Sequence, residues 1–263
     1  MTEITTTSLL EHLTHIAEAA GQEILTIYAD EEKFNIVDFK ANDSPLTLAD
    51  QAAHNVIVDR LQALTPEIPI LSEEGRDIPY SERSAWTKFW LVDPLDGTKE
   101  FIKRNGEFTV NIALVENGEV IMGCVHVPVK GTTYFAAKGE GAFKIEAGQA
   151  PVSIQAAELD RTASGLRIVC SRSHMSPAVE EYIKQFDQPE AVSMGSSLKL
   201  MLVAEGKADI YPRLAPTMEW DTGASQIIVE EAGGTVINHA TGNPLRYNKE
   251  NLLNPWFIVF SKE

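Results

Sequence analysis

The apolar run Phe89-Trp-Leu-Val92 is followed at once by two acids, Asp93 and Asp96, and then by Gly97 and Thr98. The run predicts a buried strand, and Gly97 and Thr98 predict the start of a helix. Two carboxylates this close at a strand end repel each other and lose hydration, so both stay ionised only if a cation compensates. Oxygen ligands suit Mg²⁺, Mn²⁺ or Ca²⁺, and N–H groups at a helix start suit a phosphate oxygen. Residues 89–98 therefore predict a site for metal and phosphate.

The charge of the chain restricts its partners. The sequence has 263 residues, enough for one large domain or two closely joined halves, and its 22 Lys and Arg against 38 Asp and Glu give a net charge of −16. Such a surface repels nucleic-acid polymers and anionic membranes. We therefore expect a small-molecule partner, no obligatory protein partner, and either a monomer or a homodimer. A phosphate substrate would then need metal ions or local cations at the site.

Targeting and cysteine patterns predict a cytoplasmic protein. No segment has the charge pattern of a signal peptide or the length of a membrane span. Peripheral attachment to the cytoplasmic face of the inner membrane is left open. Cys124 and Cys170 lie in apolar, strand-like runs, and two buried reduced thiols fit this compartment better than a disulfide.

Residues 1–150 have the pattern of an α+β half. Apolar residues at three- and four-residue steps predict helices over about 9–28 and 50–64, and the polar stretch 30–44 predicts a short hairpin or a mobile loop. Alternating apolar residues around an Asn-Gly turn predict an antiparallel meander over 109–139. This half is expected to carry most of the metal ligands.

Residues 151–263 have a different pattern, in which short strands and helices alternate. The alternation predicts an α/β half. Gly195 and the residues after it begin one predicted helix, and Glu219-Trp-Asp221 begins another. Because no repeat or low-complexity linker separates the halves, we expect them to pack as one compact body.

Three kinds of site compete for Asp93-Pro-Leu-Asp96-Gly-Thr98. An EF-hand needs acids at alternate positions and a Glu that closes a twelve-residue loop, and this segment has neither. A haloacid-dehalogenase-type phosphatase uses Asp-x-Asp-Gly-Thr with the first Asp as nucleophile. Here the acids are three residues apart instead of two, which disfavours a phospho-aspartate. The sugar-phosphatase superfamily matches closely.

The chain resembles the lithium-sensitive, Mg²⁺-dependent phosphatases that include inositol monophosphatase and fructose-1,6-bisphosphatase. Three motifs carry the resemblance in the same order along the chain: Glu73-Glu74, Asp93-Pro-Leu-Asp-Gly-Thr98 and Trp220-Asp221. The resemblance covers essentially the whole sequence. It implies an α+β fold, a layered αβαβα sandwich of the sugar-phosphatase type, with an antiparallel N-terminal sheet and a smaller mixed C-terminal half.

The segments around these motifs narrow the resemblance. Lys99-Glu100 replaces the Asn that inositol monophosphatases carry after the Thr, and the turns Ser171-Arg-Ser-His174 and Gly195-Ser-Ser-Leu-Lys199 resemble bacterial 3′(2′),5′-bisphosphate nucleotidases of the CysQ type. Those enzymes hydrolyse the 3′-phosphate of adenosine 3′,5′-bisphosphate (PAP) to give AMP and support sulfate assimilation. The alternatives are the same chemistry on inositol or sugar monophosphates, and a catalytically silent metal- or phosphate-binding regulator. Lys99, Lys199 and Arg213 favour a substrate with two phosphates.

The resemblance also implies roles for individual residues. Two or three Mg²⁺ ions per site, with Mn²⁺ as an alternative, would be held by the carboxylates of Glu73, Asp93, Asp96 and Asp221 and by the carbonyl of Leu95. The implied catalytic residues are Asp50, Thr98 and Glu73, of which Asp50 and Thr98 would orient and deprotonate the attacking water. The implied substrate-binding residues are Gly97, Thr98, His174, Ser196, Lys199 and Arg213. From residue type alone, Asp50 fits the first turn of a helix better than a catalytic role, and Asp221 fits a helix N-cap. Lys199 and Arg213 equally fit surface ion pairs.

Overall fold

The computed structural model describes residues 5–39, 45–170 and 175–262. The α-helices in this part are α1 (Thr6–Ala29), α2 (Glu31–Phe34), α3 (Leu48–Leu64), α4 (Tyr80–Arg83), α5 (Thr98–Ile102), α6 (Pro177–Ile183), α7 (Leu198–Ala204) and α8 (Glu219–Glu231). The strands are β1 (Val37–Phe39), β2 (Pro45–Thr47), β3 (Ile70–Ser72), β4 (Lys88–Asp96), β5 (Thr109–Glu116), β6 (Glu119–Val127), β7 (Thr132–Ala137), β8 (Gly141–Glu146), β9 (Val152–Ser153), β10 (Arg167–Cys170), β11 (Glu190–Ser193), β12 (Ile210–Arg213), β13 (Thr235–Asn238) and β14 (Phe257–Phe260). A 3₁₀ turn spans Pro128–Lys130.

Apart from the separate two-stranded sheet of β1 and β2, two sheets organise these elements. The larger has the order β3-β4-β5-β6-β7-β8-β9, and every pair in it is antiparallel except β3 and β4, which run parallel. The smaller has the order β11-β10-β12-β14-β13, with two parallel and two antiparallel pairs. The predicted antiparallel sheet and the predicted mixed sheet are both confirmed. The division of the chain at residue 150 stays a prediction.

Helices cover both faces of the large sheet. Helices α1 and α3 pack on one face, and α8 packs on the other beside α7. Helices α7 and α8 also contact the small sheet, whose strand β12 contacts α6. Three separate hydrophobic cores fill the spaces between these layers. The layers therefore follow the order αβαβα, as the resemblance implied.

Strand alternation explains how one sheet serves two cores. In β4, Trp90 and Val92 belong to the core under α1 and α3, whereas Phe89 and Leu91 belong to the core under α8. Successive side chains of a strand point to opposite faces, so a strand covered on both sides must be apolar throughout. At about 25 cal/mol per Å² of buried apolar surface, each large side chain in these cores contributes about 2 kcal/mol.

Two local predictions need correction. The strand predicted over 89–92 continues to Asp96, because β5 goes on pairing with it beyond a β-bulge that contains Pro94, a residue without an N–H to donate. The stretch 30–44 contains the short helix α2, which was not predicted and which Asp30 caps by accepting from two backbone N–H groups. Strand β1 in this stretch pairs with β2, which begins only at Pro45, and residues 40–44 lie outside the described residues, so the predicted hairpin or loop stays a prediction.

The remaining helix and turn predictions hold with small shifts. Helix α3 begins two residues earlier than predicted, and the Asn117-Gly118 turn joins β5 to β6 with positive φ at both residues. Both cysteines are buried free thiols. Within the described ranges, no helix combines the length and hydrophobicity needed to cross a membrane.

Candidate active site

Three acids converge at one end of the large sheet. Glu73 follows β3, Asp93 lies in β4, and Asp221 lies in the first turn of α8. Because β3 and β4 run parallel, their carboxyl ends meet at the same edge, and α8 packs against this sheet. Each acid offers a carboxylate oxygen within 4.8 Å of the others.

The β-bulge in β4 decides which way the acids point. Residues three apart in a regular strand would lie on opposite faces. Here Asp93 pairs with Asn111 and Asp96 pairs with Thr109, so three steps along β4 match two along β5. The extra residue in the bulge brings Asp93 and Asp96 to the same face, between the sheet and α8.

The electrostatics of the cluster are those of acids that share a buried space. Asp93 is only 1% exposed. Burial, and then the charges of Glu73 and Asp96, raise the pKa of Asp93 well above its ordinary value. Burial and the neighbouring Asp96 raise the pKa of Asp221 to about 8. Within the protein, these carboxylates therefore favour a bound proton or a bound cation.

Asp50 and Thr98 lie beside this cluster. Asp50 is buried, and its Oδ2 accepts from the N–H (2.7 Å) and the hydroxyl (2.5 Å) of Thr47, which caps α3. Its Oδ1 accepts from the hydroxyl of Thr98 at 3.1 Å. Asp50 is thus both a helix-capping residue and a neighbour of the acidic cluster, so the two interpretations left open by the sequence are compatible.

Asp96 faces the turn at 195–197 that precedes α7. Its Oδ2 accepts from the Ser196 hydroxyl (2.6 Å), the Ser197 N–H (2.6 Å) and the Ser197 hydroxyl (2.7 Å). The 195–197 turn packs closely against α5, since a Cβ on Gly195 would lie 2.8 Å from a side-chain carbon of Glu100. Gly97 has φ +95°, a left-handed conformation that favours glycine.

A cavity of about 470 Å³ opens beside Asp96 and Asp221 and contains the predicted cations. Lys199 donates to the carbonyl of Ser196 at 3.2 Å, and Arg213 donates to the Thr217 hydroxyl (2.6 Å) and the Pro216 carbonyl (3.0 Å). Among the described residues, the hydrogen bonds of both cations go to neutral oxygens, and Arg213 also acts electrostatically on Asp221, inside the cavity.

Part of the lining of the same cavity is apolar. The apolar part consists of Val169, Met175, Leu200, Tyr211 and Phe257. Acidic groups, cations and apolar side chains in one cavity suit a small molecule that carries phosphate groups and also has a hydrophobic part. Lys99 and Gly97 also line the cavity, whereas His174 lies outside the described residues.

Comparison with known proteins decides the family. A sequence model described as the inositol monophosphatase family matches residues 6–256. The chain belongs to the inositol monophosphatase family.

Named relatives within this family are similar over nearly their whole length. The 3′(2′),5′-bisphosphate nucleotidase CysQ of Escherichia coli (strain K12) is 47% identical over 253 residues, which is 95% of this chain and 99% of that protein. The protein of the same name from Haemophilus influenzae is 35% identical over 254 residues, 95% of this chain and 92% of that one. The crystal structure of CysQ from Bacteroides thetaiotaomicron superposes with a TM-score of 0.87 at 46% identity, covering 99% of this chain and all of that one.

Enzymes of the inositol monophosphatase family are metal-dependent, and the acidic cluster fits a metal ion. Its three clustered carboxylates are hard oxygen donors, and Asp93 Oδ1 accepts only one backbone N–H, that of Leu95 at 3.1 Å, among the described residues. The carbonyl of Leu95 lies 3.5 Å from the Thr98 hydroxyl. Leu95 as a carbonyl ligand and Asp96 as a fourth acid remain predictions.

Sequence reasoning missed four residues of this site. Thr47 holds Asp50, and its spacing of three residues before an acid is the pattern of a capping box. Ser197 donates to Asp96, Thr109 is the cross-strand partner of Asp96, and Asn111 contacts both Thr109 and Ser197. Asn111 could have been found, because it stands in the otherwise apolar run Val110 to Val115 of a strand buried on both faces, where an amide needs a partner.

Proposed function

We propose that this protein is a Mg²⁺-dependent phosphatase that hydrolyses the 3′-phosphate of PAP, giving AMP and inorganic phosphate. The observation that carries the proposal is the cavity in which Asp96 and Asp221 meet the cations and a set of apolar side chains. The names of relatives at 35–47% identity support the same substrate. Mg²⁺ would neutralise charge on the phosphate and make water a better nucleophile.

The acids and the turn at residue 97 would bind the reacting phosphate group. Glu73, Asp93 and Asp221 would hold the metal ions, with Asp96 as a further ligand. The backbone N–H groups of Gly97 and Thr98 would contact phosphate oxygens. Phosphoryl transfer requires mainly positioning and charge neutralisation, so no covalent nucleophile is needed.

Asp50 and Thr98 would move a proton. Thr98 donates to Asp50 Oδ1, so its oxygen is available to accept a proton from the attacking water while its own proton passes to Asp50. The two Thr47 donors hold Asp50 in place. As water adds to phosphorus, the bond to the ribose 3′-oxygen breaks, and that oxygen takes up a proton from solvent.

Lys199, Arg213 and Lys99 would bind the second phosphate and distinguish PAP from a monophosphate. Among the described residues, the first two donate hydrogen bonds to neutral oxygens, and the charge of Arg213 also lowers the pKa of the Asp221 carboxyl. A monophosphate would leave at least one of them without an anion. Against a net charge of −16, such local cations are what a doubly phosphorylated substrate requires.

The cellular setting follows from the substrate. Removal of PAP, a by-product of sulfate assimilation, would take place in the cytoplasm, by a monomer or a homodimer. These points rest on the proposed substrate and on the sequence patterns described above.

The experiment is phosphate release from purified protein with Mg²⁺, comparing PAP with inositol 1-phosphate. We expect kcat/KM for PAP to exceed that for inositol 1-phosphate by at least about 100-fold, since binding a second phosphate adds charge-assisted hydrogen bonds of about 1.5–3 kcal/mol each. Preference for inositol 1-phosphate would favour the monophosphatase alternative.

A variant pair locates the discrimination. Arg213→Gln should raise KM for PAP about 10-fold or more and change KM for inositol 1-phosphate little. The matched control is Arg246→Gln, because Arg246 pairs with Glu119 on the surface, away from the cavity. Equal effects of Arg213→Gln on both substrates would remove Arg213 from the second phosphate site.

A further inference from the structure

Four polar side chains, together with Asp96, form a closed ring of close polar contacts. Ser196 Oγ lies 2.7 Å from Thr109 Oγ1, and Thr109 Oγ1 lies 3.0 Å from Asn111 Oδ1. Asn111 Nδ2 donates to Ser197 Oγ at 2.9 Å, and both serine hydroxyls reach Asp96 Oδ2. Thr109, Asn111 and Ser197 are buried.

The sheet register places this ring beneath the acidic cluster. Thr109 and Asn111 in β5 are the direct cross-strand partners of Asp96 and Asp93. The serines come from the 195–197 turn, so the ring joins β4 and β5 to the segment that precedes α7. Ser196 has φ +52°, an unfavourable conformation for a residue with a Cβ, and its two hydroxyl contacts hold it there.

The donors of the ring converge on one atom. A carboxylate only accepts, so the serine hydroxyls donate to Asp96 Oδ2, which also receives the Ser197 N–H. Asn111 then donates to Ser197, and the single proton of Thr109 serves either Asn111 Oδ1 or Ser196 Oγ. Three donors occupy Oδ2, whereas Oδ1 has no hydrogen bond within the described residues.

We propose that Thr109, Asn111, Ser196 and Ser197 are positioning residues that fix Asp96 so that its Oδ1 faces the metal site. The inference rests on the proposed function only in taking Asp96 as a metal ligand. The ring also ties the substrate side of the cavity to the metal side, since Ser196 contacts Asp96 and its carbonyl accepts from Lys199. Thr109 is the informative member, because it does not line the cavity and so acts only through its neighbours.

The test is Mn²⁺ binding, measured by calorimetry on the full-length protein, for Thr109→Val and Ser197→Ala. Mutating a residue that hydrogen-bonds to a metal ligand and orients it typically lowers metal affinity 10- to 100-fold. We expect the Kd for Mn²⁺ to rise by at least about 10-fold in each variant. We also expect Thr109→Ser, which keeps the hydroxyl, to have a Kd for Mn²⁺ within about threefold of that of the unmodified protein.

Thr133→Val is the matched control. Thr133 is also a fully buried threonine of the large sheet, and its hydroxyl contacts His126 Nδ1 at 2.9 Å, away from the acids. The Thr133→Val variant should bind Mn²⁺ with unchanged affinity. In kinetics, Thr109→Val should raise the half-saturating Mg²⁺ concentration about 10-fold and leave KM for PAP at saturating Mg²⁺ within about threefold.

Each outcome decides the proposal. Unchanged Mn²⁺ affinity in Thr109→Val and Ser197→Ala would overturn it, and so would weakened binding that Thr109→Ser does not restore. If Thr109→Val does not fold, Ser197→Ala decides, because it removes one oxygen and keeps the Ser197 N–H that donates to Asp96. If the unmodified protein does not hydrolyse PAP, the proposed function fails, but the Mn²⁺ titrations still test the ring.

Discussion

Asp93 and Glu219 are two acids buried to the same degree, at 1% and 0% exposure, with opposite surroundings. Glu219 accepts from the Lys249 ammonium at 2.5 Å and from the backbone N–H groups of Asn248 (2.7 Å) and Lys249 (3.0 Å). Asp93 accepts one backbone N–H and is surrounded by other carboxylates that raise its pKa. Glu219 has its counter-ion within the chain, whereas Asp93 takes up either a proton or a cation from solution.

This difference distinguishes a structural acid from a ligand-binding one. A buried carboxylate is tolerated when charge and hydrogen bonds compensate its lost hydration. At Glu219 the fold supplies both, and the result is a clamp between the start of α8 and the loop at 248–249. At Asp93 the fold supplies acids instead of cations. Burial alone therefore does not identify a site, but burial among like charges does.

The largest expected effect is the loss of activity in Asp93→Asn. Removing one charge of the cluster should lower kcat/KM for PAP on the order of 10³-fold or more, because several kcal/mol of transition-state stabilisation depend on the metal ions. The same change relieves like-charge repulsion, so thermal unfolding in EDTA should occur at an equal or higher temperature. Substantial residual activity would show that Asp93 does not hold the metal.

Glu219→Gln should have the opposite outcome. It leaves Lys249 without its carboxylate and should lower the free energy of unfolding by about 3 kcal/mol, as for other broken buried pairs. Activity per folded molecule should stay within about threefold of the unmodified protein. Denaturant unfolding and active-site titration measure the two quantities. Unchanged stability would mean that the Lys249 pair is not what compensates Glu219.

Metal addition should separate the two acids directly. At 100 times its Kd, Mg²⁺ should raise the free energy of unfolding by about 2.7 kcal/mol through binding to the folded state. Glu219→Gln should retain this gain and Asp93→Asn should lose most of it. Thermal unfolding with and without Mg²⁺ is the measurement, and an equal gain in both variants would contradict the comparison.

His126 shows the effect of burial on a pKa in the absence of neighbouring acids. Its expected effect on stability is the smallest of those predicted. Burial lowers the pKa of His126 to about 4 from 6.5. Between those values the unfolded chain binds more protons, so stability should fall as pH decreases from 6.5 towards 4, by about 2 kcal/mol at pH 5. His126→Gln should remove this part of the pH dependence. If the variant and the unmodified protein lose equal stability at pH 5, the group titrating there is not His126.

Several elements of the fold were predictable because their causes are local. The 3.6-residue periodicity of α1 and α3, the Asn117-Gly118 turn and the apolar strands depend on residues close in sequence. The positions of the cluster acids after strands and in a helix start were predictable for the same reason. Helix α2 was not, because its start depends on one capping side chain, that of Asp30, in an otherwise polar stretch.

The sequence by itself determined which groups could do the chemistry. Its Asp-x-x-Asp spacing, its late Asp221 and its cations in an acidic chain indicated metal and phosphate before any fold was known. Only the tertiary structure decided how these groups face one another. A bulge in β4 turns two acids to one face, because β5 pairs with both sides of it. Thr109 and Asn111 acquired a role at Asp96 through register, a property that two strands have only when they are paired.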